Sequence, residues 1–541
     1  MRETSLRLPF APSMAAILGS LALAIGPLDA VAAAEPARAD VLLQGGTIVD
    51  GAGQPGVAGD VAIRGGTLVA VGKFDGEADS VIDCRGLIVA PGFIDLHNHS
   101  DGGIISPRTR ANVNFLTQGC TTIVTGNCGS GPIDVRAYFA KIDAAGAGTN
   151  VIHLLPQGTL RREVIGEAQR KATPEELARM KQLAERAMRD GAWGMSTGLI
   201  YVPSSYADTD ELVEIAKVVG AHGGIYASHI RGEGLELLAS IDEALAIGRR
   251  AELPVHVSHF KASGREAWGL VRHAARMIEE ARSKGQIVTA DQYPYTASST
   301  SLEATLIPTW ARAGGQKALV ARFDDAEVAP RLKEEIAKKL ELRDDGAVIR
   351  IARYAPRGDW TGLHLAEIAR KENKTPLALV EEITRRGGAA IVNFGMSEED
   401  VRFAMQLPWV ATASDGNAFL PDASRPHPRS YGTFSRKIGR YAIAEKVLPL
   451  EQAVRSASGL PADILGLVDR GYLREGWMAD IVVFDPERFR DAATFESPHR
   501  YSEGCRHVFV AGQPAILDGR PTGALAGRAL PRAKRERSAP E

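Results

Sequence analysis

The order of apolar and polar positions divides this chain into two textures. Residues 40–90 alternate in short runs broken by glycine pairs: Val41-Leu42-Leu43-Gln44 before Gly45-Gly46, and Val61-Ala62-Ile63-Arg64 before Gly65-Gly66. Such runs predict β-hairpins. The texture returns at Ile481-Val482-Val483-Phe484 and Val508-Phe509-Val510, so both ends are expected to build one small β domain. Between them, apolar runs of strand length lie at 93–97, 121–125, 151–155, 193–197, 224–228, 254–258, 287–290 and 410–413, and amphipathic segments separate most of them. In 174–189, Leu177, Met180, Leu183, Ala184 and Met188 recur at helical spacing. Eight strands alternating with helices predict an α/β fold, a TIM-type (β/α)8 barrel. An open doubly wound sheet is the alternative. The barrel is preferred because chemically suggestive residues end at least five of the runs, and a barrel gathers those ends on one rim.

This reading sets the organisation. A β-sandwich domain is built from 40–90 and 466–525, around a barrel at 91–465. Residues 296–345 break the rhythm; Leu302, Leu306, Ile307 and Trp310 give them apolar anchors, and an inserted lid over the site is expected. Residues 526–541 are expected to be a polar, solvated tail.

Composition narrows the picture. The 541 residues are 45% hydrophobic and 24% charged with net charge -2, which gives no electrostatic reason to expect nucleic acid. Arg2 and Arg7, an apolar run at 14–25 and Ala32-Ala33-Ala34 read as a signal peptide over 1–34, with Ala37-Arg38-Ala39 a second cleavage option. Export to the periplasm is expected, with no membrane span after cleavage; a retained N-terminal anchor is the alternative. The four cysteines are Cys84, Cys120, Cys128 and Cys505. A chain this long needs no staples, though a Cys84–Cys505 disulfide between the two terminal β regions stays open.

Candidate chemistry sits where the strands end. His97 and His99 follow the first run at positions i and i+2, which face one way in extended chain, and two imidazoles suit zinc. Cys128 lies in Gly126-Asn127-Cys128-Gly129 after the second run. On its own it is a zinc ligand, a nucleophile or an inert buried thiol. His229 and His259 end the fifth and sixth runs. His256 shares its alternation face with Ser258, not His259, which sets it apart from the ligands. Asp415, after the last run, is placed to ligate metal and carry a proton.

Pro91 to His99, Cys128 and Asp415, with Ser196-Thr197-Gly198-Leu199, Ser228-His229-Ile230-Arg231, Ser258-His259, Ser414-Asp415-Gly416 and His427-Pro428-Arg429, together resemble the amidohydrolase superfamily, and within it the N-acyl-D-amino-acid deacylases (D-aminoacylases). The run at 193–197 lacks the lysine that many superfamily members carry as a metal bridge; Cys128 stands instead, as in this branch. The resemblance implies one tight zinc held by Cys128, His229 and His259. It implies an adjoining, weakly occupied or empty position at His97, His99 and Asp415. Tyr201, Lys261 and Arg429 are implied around a substrate carboxylate, with Arg231 as a further neighbour. The substrate is then a small molecule with a free carboxylate, hydrolysed at its amide with Asp415 moving the proton. The preference for D-enantiomers comes from the resemblance alone. Cyclic amide or dipeptide hydrolysis, a cysteine hydrolase using Cys128, and a non-catalytic exported binding protein are the competing readings.

Overall fold

The computed structural model describes residues 37–533. The expected signal peptide at 1–34 and residues 534–541 lie outside them.

All eight sequence-read runs are strands. β1 (Phe93–Asp95), β2 (Cys120–Thr125) and β3 (Asn150–His153) pair in parallel. β4 (Gly194–Gly198), β5 (Ile225–His229), β6 (Val255–Val257), β7 (Val288–Gln292) and β8 (Val410–Thr412) form a second parallel arc. The arcs are joined at both ends. Leu155 and Pro156, which continue β3, pair with Met195 and Ser196 of β4. On the far side, Asn98 bridges Gly416 in parallel, and the Asp415 amide donates to the His97 carbonyl at 2.8 Å. β2 is buried at every residue, as expected of parallel strands covered on both faces.

Helices cover the outside because their apolar faces match the strands. The helix Pro174–Arg189 starts at a capping box, Thr173 with Glu176, carries proline at its first turn and buries Met180, Ala184 and Met188 against Met195 and Tyr226. At the other end of the strands, Leu460 and Leu465 pack with Ile94, Val124 and Ile152.

The terminal β regions do meet. Ile481–Phe484 pairs antiparallel with Ile88–Pro91, which joins both ends of the chain into a nine-stranded sheet. The thiols of this sheet do not bridge. Cys84 packs with Leu43, Val89 and Val483, and Cys505 with Ile88, Val482 and Val508. Neighbouring residues of one strand point to opposite faces, so the two sulfurs lie on opposite sides of the sheet, and all four cysteines are free and buried.

Two boundaries differ from the sequence reading. The insertion does not stop at 345: Ala390–Asn393 pairs with both Ser298–Ser301 and Ile349–Arg353, and Leu306, Ile336, Ile351, Trp360 and Ile391 share one core. Its last strand was hidden because a four-residue apolar run carries no sign of its partner. Nor is the segment from 526 onward simply a solvated tail. Ala529 is buried and bridges Val151, the Leu530 amide donates to the Val151 carbonyl, and the Trp193 indole donates to the Leu530 carbonyl at 2.6 Å. Among the described residues no helix is long and apolar enough to cross a membrane.

Candidate metal centre and active-site cavity

Because the strands run parallel, their C-terminal ends share one side, and the expected residues converge there. His97 and His99 follow β1, Cys128 follows β2, His229 closes β5, His259 follows β6 and Asp415 follows β8. Cys128, His259 and Asp415 have φ of 51°, 37° and 51°. Non-glycine residues seldom adopt this left-handed region, and its strain concentrates at functional sites. Here each left-handed residue turns the chain as it leaves its strand.

The Cys128 Sγ lies 3.2 Å from His97 Nε2, 3.6 Å from His229 Nδ1 and 3.9 Å from His259 Nε2, and the last two nitrogens are 2.8 Å apart. Tetrahedral zinc on one thiolate and two imidazoles sets S···N near ~3.5 Å and N···N near ~3.3 Å, so the donor set fits such an ion once the two ring nitrogens, 2.8 Å apart, part by ~0.5 Å. His97, His99 and Asp415 make a second group, with Asp415 Oδ1 3.1 Å from His99 Nε2 and 3.6 Å from His97 Nε2. His97 donates to both groups.

The electrostatics suit a cation. Burial pushes the Cys128 thiol up, but the imidazoles of His97, His229 and His259 outweigh it and hold the group well below the usual thiol range. Burial works against charge on His97, yet Cys128, Asp291 and Asp415 raise its affinity for a proton well above normal; the same field attracts a divalent ion. Burial likewise opposes the Asp415 charge, but Arg429 and His97 keep it well below the ordinary carboxylate range.

A cavity of about 720 Å³ opens over this cluster, with His99, Cys128, Tyr201, Asp415, His427 and Arg429 on its wall. Arg429 reaches Asp415 Oδ2 at 2.8 Å, and Tyr201 shares a hydrogen bond with Thr300 of the inserted unit at 2.9 Å. Lys261 is at the cluster but not on this wall: its ammonium is held by Glu233 at 2.5 Å and faces His259 Nδ1 at 2.7 Å. The structure does not bring Arg231 to the site. Its guanidinium is committed to Glu243, to the Ser205 carbonyl and to the Ala207 carbonyl.

Three carboxylates escaped the sequence reading. Asp291, in β7, accepts from the His259 amide at 2.7 Å, meets His256 Nε2 at 2.8 Å and lies 3.4 Å from His97 Nδ1. Glu233 lies 2.9 Å from His259 Nδ1. Asp95 accepts from the Ser414 amide and hydroxyl, tying β8 to β1. Asp291 was findable by the rule that singled out Asp415, because it directly follows the apolar run at 287–290. Partners of this kind fix the rings that bind metal. Asp291→Ala is therefore expected to weaken metal affinity by about 10–100-fold, measured by competition with a chromogenic chelator.

A family model described as the amidohydrolase family matches residues 80–516. The chain belongs to the amidohydrolase family. Within this family it is 37% identical to a D-aminoacylase of Alcaligenes xylosoxydans xylosoxydans, covering 91% of this chain and 98% of that protein. It is 35% identical to an N-acyl-D-aspartate deacylase of the same organism, over 90% and 94% of the two chains. Among solved amidohydrolase structures, a D-aminoacylase superposes with TM-score 0.79 at 34% identity, covering 91% of this chain and all of that one. The N-acyl-D-glutamate deacylase of Bordetella bronchiseptica, complexed with zinc and a phosphonate mimic of the tetrahedral intermediate, gives 0.79 at 32% identity, over 92% and 100%. A D-hydantoinase at 15% identity and TM-score 0.56 shares the fold.

Proposed function

We propose that this amidohydrolase is a zinc-dependent deacylase of N-acyl-D-amino acids, releasing a carboxylate and the free D-amino acid. One observation carries the reading: a buried thiol ringed by imidazoles, beside an Asp415–Arg429 pair, on the wall of a single cavity. D-aminoacylase and N-acyl-D-aspartate deacylase are its relatives over nearly the full length.

Cys128, His229 and His259 would hold the tight zinc; His97, His99 and Asp415 would offer a second, weaker position. Bound there, zinc supplies a Lewis acid for the acyl carbonyl and for the acidity of water. Asp415 takes the proton of the attacking water and passes it to the nitrogen as the C–N bond breaks. The amine leaves neutral and the acyl carbon keeps the oxygen, so atoms and charge balance. Arg429, on the cavity wall, is the cation that receives the substrate carboxylate, with the Tyr201 phenol on the same wall. Asp291 and Glu233 hold the imidazoles in place.

Around this centre we read the eight parallel strands as a closed (β/α)8 barrel, the terminal sheet as a β-sandwich and the inserted unit as a lid. The parallel pairing through both junctions and the Tyr201–Thr300 bond support these readings. We also read the chain as exported to the periplasm, from the leader-like residues 1–34. A panel of N-acetyl-D-amino acids, their L-forms and hydantoins tests the function. Hydrolysis of the D-forms alone, with about one tightly held zinc per chain, is expected; activity that survives zinc removal would overturn it.

A further inference from the structure

A second cleft of about 640 Å³ lies on the other side of Thr300, which lines both spaces. Its walls differ in charge. The inserted unit contributes Arg312, Lys339 and Arg343; the barrel loops after β5 and β6 contribute Glu236 and Glu266. The neighbouring charges of this face are already matched, Arg231 with Glu243 and Lys261 with Glu233. These five are not. The Arg312 and Arg343 guanidinium groups donate to the carbonyls of Ile200 and Lys339 rather than to acids, and among the described residues none of the five has an opposite charge within ion-pair distance. They nevertheless sense one another. Burial, then Arg312 and Arg343, pull the Lys339 ammonium down to about 8, while Glu335 and Glu236 pull the other way; Glu266 acts on Arg343 in the same sense. The cleft is thus lined by cations and carboxylates that form no ion pair with one another.

Arg312, Lys339 and Arg343 are half-buried, and Glu236 and Glu266 stand exposed at the rim. Half-buried like charges without a counter-ion are costly, and a ligand bearing both signs at short separation offsets the cations while its own cation meets the acidic rim. We propose that this cleft binds a free α-amino acid, carboxylate toward Lys339, Arg343 and Arg312 and ammonium toward Glu236 and Glu266. The charge pattern stands by itself; that the ligand is the enzyme's own product rests on the deacylase reading. On that reading the cleft separates product from substrate by chemistry alone. An N-acyl amino acid carries an uncharged amide nitrogen, which gives Glu236 and Glu266 nothing to pair with. Hydrolysis frees an amine that takes up a proton at neutral pH, and only then does the molecule match both walls.

Calorimetric titration of the zinc-loaded Asp415→Asn enzyme, whose turnover is removed while the cleft is untouched, with D-methionine, N-acetyl-D-methionine and acetate tests this without hydrolysis of the control. Expected is a D-methionine site that Lys339→Met, Arg343→Met and Glu236→Gln each weaken by tenfold or more, with neither control ligand occupying it. Inhibition by added D-methionine should lose its non-competitive part in the same variants, while kcat and KM stay within twofold. Should the walls merely pair directly, Lys339 with Glu236 and Arg343 with Glu266, the variants will shift the melting temperature and leave D-methionine binding unchanged, which overturns the proposal. Equal binding of D-methionine and its N-acetyl form overturns it too. Glu236→Gln, a near-isosteric change on a barrel loop, keeps the test decisive if the inserted unit tolerates neither methionine. Failure of the deacylase reading shows separately, as absent hydrolysis with the calorimetric site intact.

Discussion

Cys128→Ala is expected to abolish both metal retention and hydrolysis. The sulfur is the group that His97, His229 and His259 all approach, and those imidazoles stabilise its ionised form against burial. Alanine removes the anionic donor and leaves only imidazoles, two of them with nitrogens 2.8 Å apart, and so removes the charge that compensates a dication there. Elemental analysis after dialysis should find zinc near background. The rate should fall by about 10³-fold or more, since Lewis-acid assistance is worth several kcal/mol and each 1.4 kcal/mol is tenfold. The variant should still fold, because the thiol sits past the end of β2 and outside its ladder. Were Cys128 instead a nucleophile, the variant would keep its zinc while losing activity.

Asp415→Asn separates chemistry from binding. The amide has the shape of the carboxylate but neither its charge nor its basicity. Since the Cys128, His229 and His259 set does not include it, about one zinc per chain should remain. Turnover should fall by about 10²–10⁴-fold, the usual contribution of a positioned proton carrier. The loss should appear in kcat, with KM changed less, because the interaction acts on the proton in flight. The variant also weakens the 2.8 Å ion pair with Arg429, so some change in KM is expected from a less restrained guanidinium. A variant with full zinc and full turnover would remove Asp415 from the mechanism.

The eight strands were legible because each is a short apolar run bounded by turn residues, and the rule that parallel strands share one end turned that list into a site. That rule singles out His97, His99, His229, His259 and Asp415; Cys128 stands open among three readings until the resemblance to the D-aminoacylases makes it a ligand. What stayed hidden depends on contacts remote in sequence. Arg231 sits two residues after a site histidine along the chain, yet a helix residue twelve positions later, Glu243, takes its charge. Lys261 reaches the cluster, but Glu233 from another loop occupies its ammonium. The width of the insertion rests on Ala390–Asn393 finding two partners some forty and ninety residues earlier. Asp291 is hidden for a simpler reason: the apolar run ends at Ala290, one residue short of a carboxylate that serves three histidines.

The docked segment at Ala529 and Leu530 has a practical side. It runs beneath Val151 and Trp193, where the strands begin, so the chain departs from the face opposite the cavity. A linker fused after Arg532 would anchor the molecule to a bead or electrode by its underside and leave the mouth open to reactants. A fusion that displaced this segment would instead uncover the indole of Trp193 and loosen the floor.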